Sequence, residues 1–263
     1  MGTLGAIMGE ARARATRLEL RRSELERLCM AVAPGPSLLS ALRGTSVAVV
    51  AEVKRRSPSK GAISEGLDAA AQATAYAAGG AAAVSVLTEP AHFGGSVDDL
   101  LQVRRESNLP ALKKDFHVEP IQLLEARALG ASAALLIARA LSPEGLAGLM
   151  RLGRELGLEL LVEVRDEAEL ERALREGATM IGVNNRNLET LVIDPETAIR
   201  LIPLIPSTAV AIAESGVRTR ADVERYAAVG ADAVLVGSTL SAAANPVAAT
   251  RALAGAPRIH RAG

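Results

Sequence analysis

Val47-Ala48-Val49-Val50-Ala51-Glu52-Val53-Lys54 is an apolar run that ends abruptly in a carboxylate and an ammonium. Its small and β-branched residues suit a strand buried on both faces, and because strand side chains alternate, Glu52 and Lys54 face the same way and can pair. The device recurs along the chain. Apolar runs at 82–87, 109–113, 133–137, 158–164, 179–183, 209–213 and 233–236 bring the total to eight, and Lys114, Glu163 and Glu214 stand at or just beyond the ends of three of them. Parallel α/β barrels build their sites at the C-terminal ends of their strands, so the placement of these five charges, more than their type, predicts one shared site.

Between the runs lie amphipathic stretches with helix-start signals: Ser142 before Pro143 and Glu144, Asp194 before Pro195, and Thr219 three residues ahead of Asp222. Gly79, Gly130, Gly157, Gly177 and Gly230 mark helix ends. A repeated unit of strand, loop, helix and glycine turn implies parallel strands with right-handed crossovers. It fits an α/β fold with a single (β/α)8 TIM barrel better than the alternative, an open doubly wound sheet, whose edge strands would change pattern. No Gly-x-Gly-x-x-Gly follows the first run either. Residues 1–46 are then an N-terminal helical extension packed on the barrel, and 47–263 the barrel itself. Within the extension, 8–32 reads as one amphipathic helix with Leu18, Leu25 and Leu28 on a stripe, stopped by Pro34-Gly35-Pro36. It can cover either the mouth or the floor of the barrel.

With 263 residues, 49% of them hydrophobic and 23% charged, the chain can bury a large core. Its 30 Lys and Arg balance 30 Asp and Glu. No net field therefore draws it to nucleic acid or an anionic membrane, and 2% aromatic content offers no base-stacking surface. Cys29 is the single cysteine, which rules out an intramolecular disulfide or a cysteine metal cluster and leaves nothing that requires an oxidising compartment. Arg12, Arg14, Arg17, Arg21 and Arg22 interrupt the N-terminal stretch, so it lacks the apolar core of a signal peptide, and no run reaches membrane-spanning length. A cytoplasmic location is expected.

The loop after the first run carries Lys54, Arg55, Arg56 and Lys60 around Ser57, which on its own reads as a solvated charged loop and on a barrel mouth as an anion-binding rim. Lys114, if it points inward, is a candidate general acid or Schiff-base nucleophile. Glu163 reads as an ordinary salt-bridge partner unless other perturbed groups share its cavity, as four do here. Asn184, Asn185 and Arg186 follow the sixth run, either as turn chemistry or as amides and a guanidinium aimed at a ligand. Ser215 and Gly216 after the seventh run, and Gly237 and Ser238 after the eighth, occupy the loops where this fold binds phosphate through close backbone approach and helix amides. Phe93 and Phe116, the only two phenylalanines, fall beyond the second and third runs, where they can plug the barrel top or sandwich a planar ring. His92 and His117 beside them lack a third nitrogen or a cysteine, so no metal is expected.

The series Glu52-Val53-Lys54-Arg55-Arg56-Ser57-Pro58-Ser59-Lys60-Gly61, Leu87-Thr88-Glu89-Pro90 with Phe93-Gly94-Gly95-Ser96, Leu112-Lys113-Lys114-Asp115-Phe116, Glu163-Val164, Gly182-Val183-Asn184-Asn185-Arg186 and Ala213-Glu214-Ser215-Gly216 resembles, in order and spacing, the motifs of the indole-3-glycerol-phosphate synthase family. The resemblance covers about residues 8–255. It implies a monofunctional carbon–carbon lyase (carboxy-lyase) of tryptophan biosynthesis, which converts 1-(2-carboxyphenylamino)-1-deoxyribulose 5-phosphate to indole-3-glycerol phosphate, carbon dioxide and water. On that footing Gly216, Gly237 and Ser238 bind the phosphate, the basic loop with Arg55 and Ser57 takes the benzoate carboxylate, Phe93 and Phe116 meet the aryl ring, and Arg186 and Ser215 assist binding. Lys114 is implied as the acid of ring closure and Glu163 as the base of dehydration, with Lys54 or Lys114 protonating the departing hydroxyl. Glu52, Asn184 and Glu214 orient hydroxyls and keep the lysines charged. No cofactor is implied, and no partner among the other tryptophan-pathway enzymes is indicated. The chain departs from the usual pattern at His117, His92 and Asn187, which bears on loop packing and rim contacts.

Overall fold

The computed structural model describes residues 3–261. The outermost residues of the expected extension and barrel, 1–2 and 262–263, lie outside the described residues. Eight parallel strands run in chain order: β1 (Ser46–Val53), β2 (Ala83–Leu87), β3 (Ala111–Lys114), β4 (Ala133–Ile137), β5 (Glu159–Val164), β6 (Met180–Asn184), β7 (Val210–Glu214) and β8 (Ala233–Val236). Each pairs with the next, and β1 also pairs with β8, so the sheet closes into a (β/α)8 barrel.

Alternation sorts every strand between two cores. Ala48 and Val50 of β1 join Leu112, Leu161, Met180 and Ile212 inside the barrel, whereas Val47, Val49, Ala51 and Val53 pack outward under the helices. A fully buried leucine such as Leu112 or Leu161 contributes roughly 2 kcal/mol. The inward parity also sets the chemistry: two residues beyond Val50, Leu112, Leu161 and Ile212 come Glu52, Lys114, Glu163 and Glu214.

The third strand starts two residues later than expected and ends one later. Pro110, which has no N–H for the ladder, precedes it, and Lys114 pairs with Leu87 as its last residue. At the first helix end the left-handed residue is Gly80 (φ +93°) rather than Gly79, whose φ is −81°.

The expected single helix over 8–32 is two, α1 (Thr3–Glu19) and α2 (Arg22–Ala31), followed by a short α3 (Leu38–Ala41). The chain turns at Leu20 and Arg21, and this redirects the stripe. Leu25 is buried against Ile121, Leu124 and Ala128, while Leu28 is 37% exposed. Leu4, Ile7 and Ala11 of α1 join the inner barrel cluster from the mouth side, where Arg14 donates to Asp115 at 2.6 Å and Glu89 at 3.4 Å. At the opposite end, Leu38 and Leu42 join the same cluster, with Ser37 and the Leu39 amide bonded to Glu159 at the start of β5. The extension thus covers both the mouth and the floor. No helix among the described residues is long and apolar enough to cross a membrane.

Candidate active site

Lys114 stands at the centre of the mouth. Its Nζ donates to Glu214 Oε2 at 2.6 Å and to Glu163 Oε2 at 3.0 Å. Burial alone would depress this lysine, but Glu214, Glu163 and Glu52 override it and hold its pKa well above the ordinary lysine value. Burial pushes Glu214 up to about 7 despite the attraction of Lys114, and Glu163 adds to the rise. Glu163 is oriented from its other side by Asn184 Nδ2 at 2.9 Å, and the Asn184 Oδ1 accepts from the Arg186 amide at 2.9 Å. Glu52 lies 3.4 Å from Lys54 Nζ and accepts from Ser85 Oγ at 3.2 Å. The pairing read from strand alternation is present.

Two glycines make the room that these carboxylates occupy. A Cβ at Gly182 would fall 1.9 Å from Glu214 Oε1, and one at Gly237 would fall 2.4 Å from Glu52 Oε1.

The charges border a cleft enclosing about 810 Å³, part of it open to solvent. One side is apolar, built from Leu4 and Ile7 of α1, Phe93, Phe116, Leu135 and Leu188. An adjoining chamber of about 540 Å³ shares Glu52, Lys54, Arg186 and Ser215 with it and is lined by Gly216, Gly237, Ser238 and Thr239, with Lys60 and Arg218 adding charge. Ser215 and Gly216 both take left-handed backbone, at φ +66° and +94°. For Ser215 that conformation is uncommon and concentrates at functional turns. Four cations and a glycine-lined floor suit a phosphate.

The geometry redirects one expectation and bears on one of two readings of another. Arg55 does not face either chamber: its guanidinium is bidentate on Asp99 and donates to the Leu67 carbonyl at 2.8 Å. That pair forms because Asp99, in the first turn of the helix Val97–Glu106, is 4% exposed and requires a counter-charge. Ser57, by contrast, lines the cleft with Pro58 and Ser59. Phe93 and Phe116 do not form two slabs around a gap. Their centroids are 6.3 Å apart at 36°, a tilted contact that makes one continuous wall. Lys54 Nζ lies 5.4 Å from the Phe93 ring centroid.

A family profile for indole-3-glycerol phosphate synthase matches residues 5–253. The chain belongs to the indole-3-glycerol phosphate synthase family. It is 49% identical to the indole-3-glycerol phosphate synthase of Parafrankia sp. (strain EAN1pec) over 236 residues, covering 89% of this chain and 86% of that one. It is 47% identical to indole-3-glycerol phosphate synthase 1 of Streptomyces coelicolor over 258 residues, covering 97% and 96%. Among solved structures, 3-hexulose-6-phosphate synthase from Salmonella typhimurium superposes with a TM-score of 0.64 at 15% identity, over 79% of this chain and 96% of that one, a likeness of fold alone.

Sequence reasoning missed several residues that this family member brings to the site. Leu4 and Ile7 carry a helical i, i+3 spacing that continues to Ala11, but the expected helix began only at residue 8. Arg218 is legible as a cation two residues past Gly216. Ser85 carries no local signal, because its contact with Glu52 crosses from one strand to the next. Glu10, Glu89 and His92 bring ligand atoms within 4.8 Å of one another, but the Glu89 oxygens already accept from the amides of residues 91–93 and from Arg14, so the donor set does not fit a metal ion.

Proposed function

We propose that this chain converts 1-(2-carboxyphenylamino)-1-deoxyribulose 5-phosphate to indole-3-glycerol phosphate, carbon dioxide and water. The observation that carries the reading is the ammonium of Lys114, held by two buried carboxylates in an aromatic-walled cleft that adjoins a cationic, glycine-lined chamber. Such a cavity accepts one molecule with an aryl ring at one end and a phosphate at the other.

In this reading the phosphate lies against Gly216, Gly237 and Ser238, with Lys54, Lys60 and Arg218 as counter-charges. The aryl ring lies on the wall of Phe93 and Phe116. Arg186 and Ser57 are the binding groups available to the benzoate carboxylate, since Arg55 is taken by Asp99. Lys114 gives a proton to the ribulose carbonyl oxygen as the ring carbon attacks the carbonyl carbon. Loss of carbon dioxide returns its bonding electrons to the ring and restores aromaticity. Glu163 then takes the proton from the anilinium nitrogen while the hydroxyl leaves as water on a proton from a lysine, Lys54 and Lys114 both bordering that space. Asn184 holds Glu163, Glu52 pairs with Lys54, and Glu214 helps to keep Lys114 charged.

A Schiff-base aldolase built on Lys114 is disfavoured, because imine formation needs a neutral amine and three carboxylates oppose deprotonation here. Incubation of the purified chain with the carboxyphenylamino substrate, followed by indole fluorescence, tests the proposal. Folded protein that gives no indole product refutes it, and borohydride trapping of a phosphosugar on Lys114 would favour the aldolase.

A further inference from the structure

Ser241 holds both sides of the short segment that carries Glu52 and Lys54. Its hydroxyl donates to the Glu52 carbonyl at 2.9 Å and accepts from the Lys54 amide at 3.1 Å. These groups lie just past Ala51, whose pairing with Val236 is the last register between β1 and β8. The serine therefore supplies bonds that another strand residue would have made. Tyr76 Oη adds a second hydroxyl, 3.1 Å from the same carbonyl and 3.3 Å from Ser241 Oγ. Both side chains are buried.

Ser241 is also the last residue of the helical turn Ser238–Ser241, whose first residues line the cationic chamber. Just ahead of this turn, Gly237 presents bare backbone to Glu52 and Lys54: a Cβ there would lie 2.4 Å from Glu52 Oε1 and 3.3 Å from Lys54 Cδ. The same short piece of chain thus faces the phosphate chamber and grips the end of β1 at two places.

We propose that Ser241 is a positioning residue that couples occupancy of the phosphate chamber to the alignment of Glu52 and Lys54. The inference rests on the reading of the function given above for its substrate. Binding energy from the non-reacting phosphate is then used to orient reacting groups, and it reaches them through the Glu52 carbonyl and the Lys54 amide. Ser241 itself touches no substrate. A buried serine that only completed hydrogen bonds would affect stability and leave turnover by the folded protein unchanged.

Two measurements test this. In the unmodified chain, inorganic phosphate should slow hydrogen exchange at the Lys54 amide, and an exchange rate indifferent to phosphate overturns the coupling whatever the variants do. In Ser241→Ala that response should vanish and kcat should fall about tenfold, with KM within about twofold of the unmodified value, the pattern expected when reacting groups are slightly misaligned. Ser241→Thr, which keeps the hydroxyl, should recover both. A folded Ser241→Ala protein with unchanged kcat also overturns the proposal. Failure of the unmodified chain to form indole product, with the exchange response intact, would instead remove the assigned reaction and leave the coupling standing.

Discussion

Lys114 Nζ donates to Glu214 Oε2 at 2.6 Å, while the other oxygen of that carboxylate, Oε1, is buried without a hydrogen-bond partner among the described residues. Glu163 differs, because its second oxygen accepts from Asn184. An unpaired buried acceptor costs about 1–3 kcal/mol, a cost that proteins retain where a ligand supplies the donor. The two oxygens of Glu214 thus differ: one pairs with Lys114, and the other packs against Gly182 with no donor among the described residues.

The pH dependence follows from Glu214. Burial places its pKa at about 7, so the carboxylate forms as the pH rises through neutrality, and only that form gives Lys114 a full counter-charge. We expect kcat/KM to rise between about pH 5.5 and 8 with an apparent pKa near 7, since this parameter reports groups of the free enzyme. In Glu214→Gln the limb should disappear. A profile that keeps the same limb in the variant would assign it to another group.

Lys114→Ala should lower turnover at least about 100-fold, as expected when a general acid is removed. Lys114→Arg keeps the charge between Glu163 and Glu214 but holds its proton too tightly to give it up, so substrate should still bind while product formation stays low. Steady-state kinetics and equilibrium binding on both variants check this. Near-normal turnover in Lys114→Ala would end the acid assignment.

The barrel and the centre of its site were legible because one rule generates both. Alternation that buries Val50, Leu112, Leu161 and Ile212 inside the barrel necessarily brings Glu52, Lys114, Glu163 and Glu214 to its rim two residues later. Pairing of Arg55 with Asp99 was not legible, because the partners are 44 positions apart and meet only when the helix Val97–Glu106 docks. Nor was the tilt between Phe93 and Phe116, which depends on where two separate loops come to rest. The turn at Leu20 and Arg21 is likewise decided by packing: α2 must bend to bring Leu25 onto the helix Pro120–Ala128, and helical periodicity alone contains no such demand.

Gly182→Ala tests whether the space beside Glu214 matters for chemistry. The added methyl would meet Oε1 at 1.9 Å, and it would also meet Leu161 Cδ1 at 3.3 Å, so the carboxylate must swing away from Lys114. Overpacking of this kind costs about 1–3 kcal/mol of stability. Turnover should fall at least about tenfold as the reacting groups are misaligned. Gly148→Ala, where a Cβ meets nothing within 4 Å, is the matched control and should leave turnover unchanged. Equal activity in the two variants would show that Glu214 tolerates displacement.

His117 should make the fold acid-sensitive. It is 2% exposed, its Nδ1 donates to the Leu135 carbonyl at 2.7 Å, and its Nε2 lies 3.4 Å from Lys113 Nζ, itself paired with Glu125 at 3.1 Å and Asp115 at 3.4 Å. Burial and then the Lys113 charge push the histidine down to about 3, against the pull of Asp115. Because the folded pKa lies below the unfolded value of about 6.5, the unfolded chain takes up the proton first. Stability is therefore full above about pH 6.5 and is lost as the pH falls toward 3, at no more than about 1.4 kcal/mol per pH unit for a single proton. Asp115, held below the usual carboxylate range, adds its own loss only at lower pH, below its unfolded value. Denaturant titrations at pH 7, 6 and 5 should show stability declining in the unmodified chain and a shallower decline in His117→Gln, which keeps a polar group but cannot take up the proton. Parallel slopes for the two proteins would place the acid sensitivity elsewhere.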